Sequence, residues 1–189
     1  MTFERRPLLD QETQTSDSST RRKPLPRFGA LSALELIVRC TNGATNGEEH
    51  MVDTIDRVEV VADGSNVLFS LEGVELHRWS WFWYQESPPA DWNEAASAVQ
   101  MLALIIPFGR TIGDKDLWLD LADYRDVEFR IQYSPTIAAT SFATATYEIS
   151  LHAWIDDDEP RVVGRRGWLR TTQVNAFTSA ASGDTVIEL

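Results

Sequence analysis

Hydrophobic and polar residues alternate along much of the chain from Ala33 onward. In "LELIVRC" one face carries the apolar side chains of Leu34, Leu36, Val38 and Cys40. The same period of two runs through "VEFRIQYS" and "SFATATYEISLHAWI". Because successive side chains of a strand point to opposite faces, this alternation predicts half-buried antiparallel strands. "AVQMLALIIPF" is apolar on both faces, which predicts a central strand covered on both sides.

Turn signals separate these runs. Asp63-Gly64 stands between "RVEVVA" and "SNVLFSL", and an Asp-Gly pair between two β-rich runs is typical of a hairpin. About seven or eight strands with turns between them indicate an antiparallel sandwich with Greek-key or jelly-roll connections. The predicted fold class is therefore all-β: an antiparallel jelly-roll β-sandwich with a short helix and a disordered N-terminal arm.

The segment "GVELHRWSWFWYQ" departs from the period of two. Leu76, Trp79 and Trp83 follow helical spacing, which predicts a short helix after the strand that ends at Leu71. Large aromatics bury much apolar area and are common at protein interfaces, so this cluster is predicted to pack internally or to form a subunit interface. Its members are Trp79, Trp81, Phe82, Trp83 and Tyr84. The alternative is a sugar-binding platform on a carbohydrate-binding β-sandwich, which would need Trp79, Trp81 or Trp83 aligned on one concave face.

The first 27 residues differ in composition from the rest. They are polar, rich in Ser and Thr, and interrupted by Pro7, Pro24 and Pro26. Such a segment buries too little apolar surface to offset its ordering entropy, so we expect a flexible arm. Its six basic residues against four acids make it mildly basic, and residues 28–189 then carry −14. A basic arm of this kind could reach a neighbouring subunit, a lipid head group or nucleic acid.

The residue types that catalysis or metal binding requires are scattered. His50, His77 and His152 form no metal-binding spacing, and no Ser or Cys lies in the motif of an activated nucleophile. The acidic run 156–159 is predicted to be a solvated loop rather than a calcium site. We therefore predict no enzyme activity, no catalytic residue, no cofactor and no metal. An enzyme on a jelly-roll scaffold would need converging polar residues that the sequence does not show.

Charge and cysteine content restrict the partners. The chain has 189 residues, of which 43% are hydrophobic, enough for one complete domain. Its formal charge of −12 would repel phosphate backbones, so the body is not expected to bind nucleic acid directly. The single cysteine, Cys40, excludes an intrachain disulfide and favours a reducing compartment. No apolar run reaches the roughly 18 residues of a membrane-spanning helix.

The order of the segments resembles the double jelly-roll major capsid proteins of tailless icosahedral viruses. "ELIVRCTNGA", "IDRVEVVADGSNVLFSLEGVEL", "IIPFGRTIGDKDLWLDLADYRDVEFRIQYS" and "RGWLRTTQVNAFTSAASGDTVIEL" carry the resemblance. It implies a structural virion protein in which two tandem jelly-rolls per chain build trimeric, pseudo-hexagonal capsomers of an icosahedral shell. It also implies location in the capsid after assembly in the host cytoplasm, neighbouring capsid proteins as partners, and internal-membrane contact through the N-terminal arm.

The resemblance also divides the chain. Residues 1–27 are the arm, 28–160 the first jelly-roll, and 161–189 a linker followed by the first strand of an incomplete second jelly-roll. That strand is placed at Thr185 to Leu189, and removing the residues after about Arg161 is expected to improve solubility. In the segment Ile105 to Leu121, the resemblance implies two strands joined by a tight loop. Loop-shaping residues would be Pro107, Gly109 and Gly113, with Asp114 and Asp116 solvated.

Overall fold

A computed structural model describes residues 2–47, 50–135, 142–143, 145–157 and 167–172. Within these residues the chain forms eleven strands, one α-helix and a short 3₁₀ turn at Leu121–Asp123. The elements are β1 Glu4–Gln14, β2 Ser19–Pro24, β3 Ala30–Thr41, β4 Ile55–Ala62, β5 Asn66–Leu71, α1 Gly73–Tyr84, β6 Ala90–Asp91, β7 Val99–Pro107, β8 Leu119–Asp120, β9 Val127–Tyr133, β10 Tyr147–Asp156 and β11 Thr171–Thr172.

Two sheets face each other across one core. The first has the order β1-β10-β3-β7-β6, with β8 pairing the start of β3, and the second has the order β11-β5-β4-β9-β2. Strands that neighbour each other in space are mostly distant in sequence, as in β3 with β7 and β10. All pairings between named strands are antiparallel except β11 with β5. These crossovers between two antiparallel sheets confirm the predicted jelly-roll sandwich.

The alternating patterns locate the core as predicted. In β9 the side chains of Val127, Phe129, Ile131 and Tyr133 are buried between the sheets. Strand β7 is buried along most of its length, as predicted. The Ser80 hydroxyl of α1 accepts a hydrogen bond from the Ile105 amide of β7 at 3.0 Å. The predicted hairpin at Asp63-Gly64 joins β4 to β5, and both residues have positive φ. One strand is shorter than predicted: β10 begins at Tyr147, because Ala145 lies in a turn at φ 58°.

The prediction of a disordered N-terminal arm is wrong for residues 2–27. This segment forms β1, which pairs with β10, and β2, which pairs with β9. Both strands lie at sheet edges, where a strand needs only a few apolar side chains because its backbone hydrogen bonds supply much of its order. Leu9 and Leu25 provide those side chains, each at most 7% exposed. A composition argument fails here because it does not count main-chain pairing, and the domain begins at β1 rather than at Phe28.

The turn between β7 and β8 corrects a second expectation. Asp114 was expected to be solvated, but it is buried and its carboxylate organises the turn. It accepts hydrogen bonds from the backbone N–H and guanidinium of Arg110 and from the backbone N–H of Asp116 and Leu117. These donors hold the pKa of Asp114 well below its usual range. Gly109 fits here because a Cβ would approach the Leu117 carbonyl oxygen to 2.6 Å.

Residues 167–172 lie on the sandwich. Trp168 packs edge-on against Phe108, with ring centroids 6.2 Å apart, and the Leu169 amide donates to the Phe108 carbonyl at 2.9 Å. Strand β11 then adds to the edge of the second sheet beside β5. This stretch was assigned to the linker, whereas the strand predicted at Thr185 to Leu189 lies outside the described residues.

Candidate functional site

Helix α1 packs against β7 of the first sheet and β4 of the second. It starts at Gly73, where a Cβ atom would collide with the carbonyl oxygens of Val52 and Ile55. Leu76 and Ser80 are buried against the sheets, and the helix ends at Gln85, which adopts the left-handed conformation at φ 59°. The predicted helix after Leu71 is therefore present, with a face fixed against the core.

The five aromatic residues of the segment divide between packing and exposure. Trp79 packs partly against the core and stacks on Phe82, with ring centroids 5.6 Å apart. Trp83 and Tyr84 are half-buried and meet edge to face at 5.3 Å. Trp81 and Phe82 point to solvent, 53% and 67% exposed. Two adjacent aromatics at this exposure form a projecting apolar patch, a feature typical of an interaction surface.

A groove runs beside this patch. It has a volume of about 320 Å³ and lies between α1, the end of β5 and β11. Its lining residues are Leu71, Glu75, Arg78, Trp79, Phe82 and Thr171. The groove extends the apolar surface of Phe82 toward the second sheet, so a partner could contact the helix and the sheet edge together.

Two indole N–H groups in the helix have no acceptor. The Nε1 atoms of Trp79 and Trp83 are buried without a hydrogen-bond partner. An unpaired buried donor costs roughly 1–3 kcal/mol. The aromatic segment therefore keeps its position through apolar packing and not through polar contacts of its tryptophans.

A second aromatic cluster lies at the N-terminal half of the helix. His50 stacks on Trp92 with centroids 3.5 Å apart, and His77 of α1 meets both rings at 6.4 Å. Burial lowers the pKa of His50 and of His77 from their ordinary value. Sequence spacing could not reveal this cluster, because its members come from α1 and from two separate loops. His152 lies elsewhere, on β10 beside Arg5.

The described residues were compared with the requirements of metal binding and nucleophilic catalysis. Among them, no group of three or more His, Cys, Asp or Glu side chains is arranged to hold a metal ion. Cys40 is buried with its Sγ 3.1 Å from the sulfur of Met51, and burial raises the pKa of its thiol to about 12. A thiol with that pKa is not a thiolate nucleophile at neutral pH. In the described part of the chain, no helix has both the length and the apolar character to cross a bilayer.

The aromatic cluster does not meet the geometry that sugar binding requires of it. Trp79 and Trp83 are half-buried and only Trp81 is largely exposed, so the three indoles do not share one open face. They also project from a helix rather than from a concave sheet. Of the five aromatics, Trp81 and Phe82 are therefore exposed, Trp79 stacks on Phe82, and Trp83 contacts Tyr84.

Comparison with known proteins adds the fold relationship. No protein-family model matches the sequence, and no curated protein matches it either. Solved viral capsid structures do match in fold. The chain superposes on the STIV major capsid protein with a TM-score of 0.60 at 10% identity, covering 81% of this chain and 48% of that one. For the structure of Sulfolobus Turreted Icosahedral Virus, the TM-score is 0.61 at 8% identity, covering 81% of this chain and 45% of that one.

The PBCV-1 virus capsid gives a similar result. Its TM-score is 0.58 at 15% identity, and the match covers 83% of this chain and 42% of that one. The chain thus spans less than half the length of the capsid proteins it matches. The resemblance predicted from sequence is confirmed for the fold: this chain has the architecture of one jelly-roll of those proteins.

Proposed function

We propose that this chain is a structural virion protein that contributes one jelly-roll to a viral capsid. Its partners are other capsid subunits, with which it builds trimeric, pseudo-hexagonal capsomers of an icosahedral shell, and the protein has no catalytic turnover. The observation that carries the proposal is the structural match of 81–83% of this chain to solved viral capsid proteins. Because fold alone does not determine function, the proposal needs a surface suited to assembly.

The exposed end of α1 supplies that surface. Trp and Phe side chains contribute large contact areas with few rotatable bonds, so they are frequent anchors of protein interfaces. Phe82 stacks on the half-buried Trp79, which limits the entropy that Phe82 loses on docking. We assign Trp79, Trp81, Phe82, Trp83 and Tyr84 to a subunit interface, with Trp81 and Phe82 in direct contact with the partner.

The extent of the match supports a two-domain capsid subunit. Coverage of 42–48% of the matched proteins is what one of two tandem jelly-rolls would give. A trimer of such subunits contains six sandwiches, whose flanks meet around a ring. A flank that carries exposed aromatics fits this arrangement better than it fits an isolated module. Contact with an internal membrane stays a prediction, and it would have to use the folded strands β1 and β2 because residues 2–27 are not a free arm.

The test compares the full chain with two matched variants. Trp81→Ser/Phe82→Ser removes the exposed aromatics, and Trp81→Phe/Phe82→Leu keeps the surface apolar. Sedimentation velocity should show association for the original chain and the apolar variant and loss of association for the serine variant. All three should have the same circular dichroism spectrum, because neither side chain contributes much to the core. Electron microscopy of the associated material should show capsomer-like rings.

Binding to glycans provides the decisive contrast with the rival carbohydrate-binding module. The observation that favours the carbohydrate-binding module is the exposure of Trp81 on α1, a helix whose Trp79 and Phe82 line an open groove. If the chain stayed monomeric and bound a glycan array through Trp81, the assembly proposal would be replaced by that function.

A further inference from the structure

Strand β2 and the residues that follow it form a basic segment. Residues Ser19 to Phe28 contain Arg21, Arg22, Lys23 and Arg27 and no acidic residue. Arg21 pairs with Glu12 of β1, whereas Arg22, Lys23 and Arg27 make no ion pair with another described residue. Phe28 follows directly and is 60% exposed. In a chain with a net charge of −12, this "basic edge" of residues 19–28 combines unpaired positive charge with one exposed aromatic ring.

The strand orders place the basic edge and α1 on opposite sides of the sandwich. Strands β1 and β2 end the two sheets on one side, and the Arg21–Glu12 pair links them there. Strands β6 and β11 end the sheets on the other side, and α1 packs on that half of the sandwich, against β7 and β4. Strand β2, which carries most of the basic edge, therefore lies at the opposite end of the second sheet from β11, which borders the groove beside α1.

The α1 flank carries the complementary charge. Residues 72–98, from the helix to the start of β7, contain five acids, and with Arg78 as the only base their net charge is −4. Glu86, Asp91 and Glu94 are exposed, and Glu75 lines the groove beside Phe82. Acidic residues thus outnumber basic ones on the segment that carries Trp81 and Phe82, and the groove beside Phe82 contains one of each, Glu75 and Arg78.

We propose that the α1 flank of one copy docks onto the basic edge of a second copy, head to tail. This inference rests on the proposed assembly function and names the partner surface for its aromatic helix. Phe28 would meet the apolar patch, while Arg22 and Arg27 would face the acids around it. Contact between two α1 flanks would instead bring like charges together, which costs free energy. Two different surfaces that pair in this way produce a ring when the rotation between copies closes.

We expect side chains, and not backbone hydrogen bonds between strands, to form the contact between the α1 flank and the basic edge. Lys23 lies opposite Phe129 in the β2–β9 register and therefore on the core-facing side, and Pro24 ends the strand. Charges that point inward and a proline on an edge strand both oppose the addition of a further strand. The association is therefore expected to weaken as salt is added, because Arg22, Arg27 and the acids of the α1 flank are exposed to screening.

Mixing two variants of the full chain tests the head-to-tail arrangement. The helix variant is Trp81→Ser/Phe82→Ser, and the edge variant is Arg22→Glu/Arg27→Glu. Each retains one intact flank, so neither should associate alone. Mixed in equal amounts, they should form a 1:1 heterodimer that grows no further. A charge-matched control, Arg39→Glu/Arg125→Glu, changes two exposed arginines outside both flanks and should associate as the original chain does.

Sedimentation velocity at low and high salt gives the readout, with circular dichroism to confirm folding. The edge variant should weaken association at least about tenfold at low salt, and this difference should shrink at high salt. An edge variant that associates as well as the original chain would overturn the inference. If the helix variant still lost association, the interface proposed on α1 would stand. Absence of the heterodimer, or a chain that is monomeric at its highest soluble concentration, would also overturn the inference.

Discussion

At the scale of single residues, the buried carboxylate of Asp114 stabilises the turn between β7 and β8, a role that the sequence pattern does not indicate. Asp114 has a sequence context typical of a solvated turn, with glycine and charged neighbours. Its five hydrogen bonds from Arg110, Asp116 and Leu117 make it the centre of the turn. The carboxylate thereby satisfies backbone donors that would otherwise lack partners where the chain leaves β7.

We predict that Asp114→Ala lowers the free energy of unfolding by about 2–4 kcal/mol, because it leaves backbone donors unpaired near the core. Asp116→Ala is the matched control, and it should cost less than about 1 kcal/mol because its ion pair with Arg110 is largely exposed. Urea denaturation measures both. The pKa of Asp114 is lowered in the fold, so its contribution is complete at neutral pH and is lost as acidification protonates the carboxylate. Equal effects of the two substitutions would contradict this role.

The histidine cluster predicts a second pH dependence. Burial lowers the pKa of His50 and His77 in the fold, so the unfolded chain binds protons more readily. Their contribution to stability is therefore complete above the ordinary pKa of 6.5 and declines as the pH falls below it. Asp53 and Glu94 act on His50 in the opposite direction, and Arg78 acts on His77 in the same direction as burial.

Thermal melting between neutral and mildly acidic pH should show the effect. His50→Gln/His77→Gln should lose less melting temperature on acidification than the original chain. His152→Gln serves as a comparison outside the cluster. Burial also lowers the pKa of this β10 residue, so its substitution should reduce the pH dependence independently of His50 and His77. A double variant whose pH dependence matches that of the original chain would show that the cluster does not titrate with folding.

At the scale of secondary structure elements, the edge strands determine where the domain begins. Strands β1 and β2 are polar enough to suggest disorder, yet each donates and accepts along a whole neighbouring strand. The Tyr133 hydroxyl also donates to Gln14 at 2.7 Å, which fixes the end of β1 to the core. Main-chain hydrogen bonding thus orders a segment whose side chains alone would not order it.

This assignment predicts that Leu25→Ala destabilises the protein by about 2–4 kcal/mol, as expected for a buried leucine that leaves a cavity. Thr20→Ala, on the exposed part of β2, should change the stability by less than about 0.5 kcal/mol. Chemical denaturation of the full chain compares the two. A flexible arm would instead give no effect for either substitution.

At the scale of the whole molecule, the sandwich includes residues 167–172. They follow β10 in the chain and pack on segments that are far away in sequence. Trp168 on Phe108 and β11 on β5 extend the domain beyond residue 160. This packing alters the expected effect of truncation. Removing everything after about Arg161 was expected to improve solubility, but it would also remove Trp168 and uncover Phe108, which is fully buried.

We therefore expect a chain ending at residue 166 to melt at a lower temperature than one ending at residue 172. The first lacks Trp168 and β11, and the second keeps both, so the difference isolates this packing. Differential scanning calorimetry on both truncations and on the full chain gives the comparison. Identical melting temperatures for the two truncations would show that residues 167–172 contribute nothing to stability.

Part of this molecule follows from sequence alone. Alternation in β3, β9 and β10 identifies buried faces, because a strand repeats every two residues whatever its neighbours are. The spacing of Leu76, Trp79 and Trp83 identifies α1, because residues three and four positions apart lie on one face of a helix. The aromatic segment could be recognised as a candidate interface because unusual residue content does not depend on topology.

Tertiary structure decided the features that depend on which segments meet. Strands β1 and β2 gain order from β10 and β9, which are more than a hundred residues away in the chain. The His50–Trp92–His77 cluster, the role of Asp114 and the opposition of an acidic aromatic flank to a basic edge likewise arise from pairing between distant segments. Local patterns determine the periodicity and polarity of a segment, but burial and charge environment depend on long-range contacts, which a single sequence does not specify.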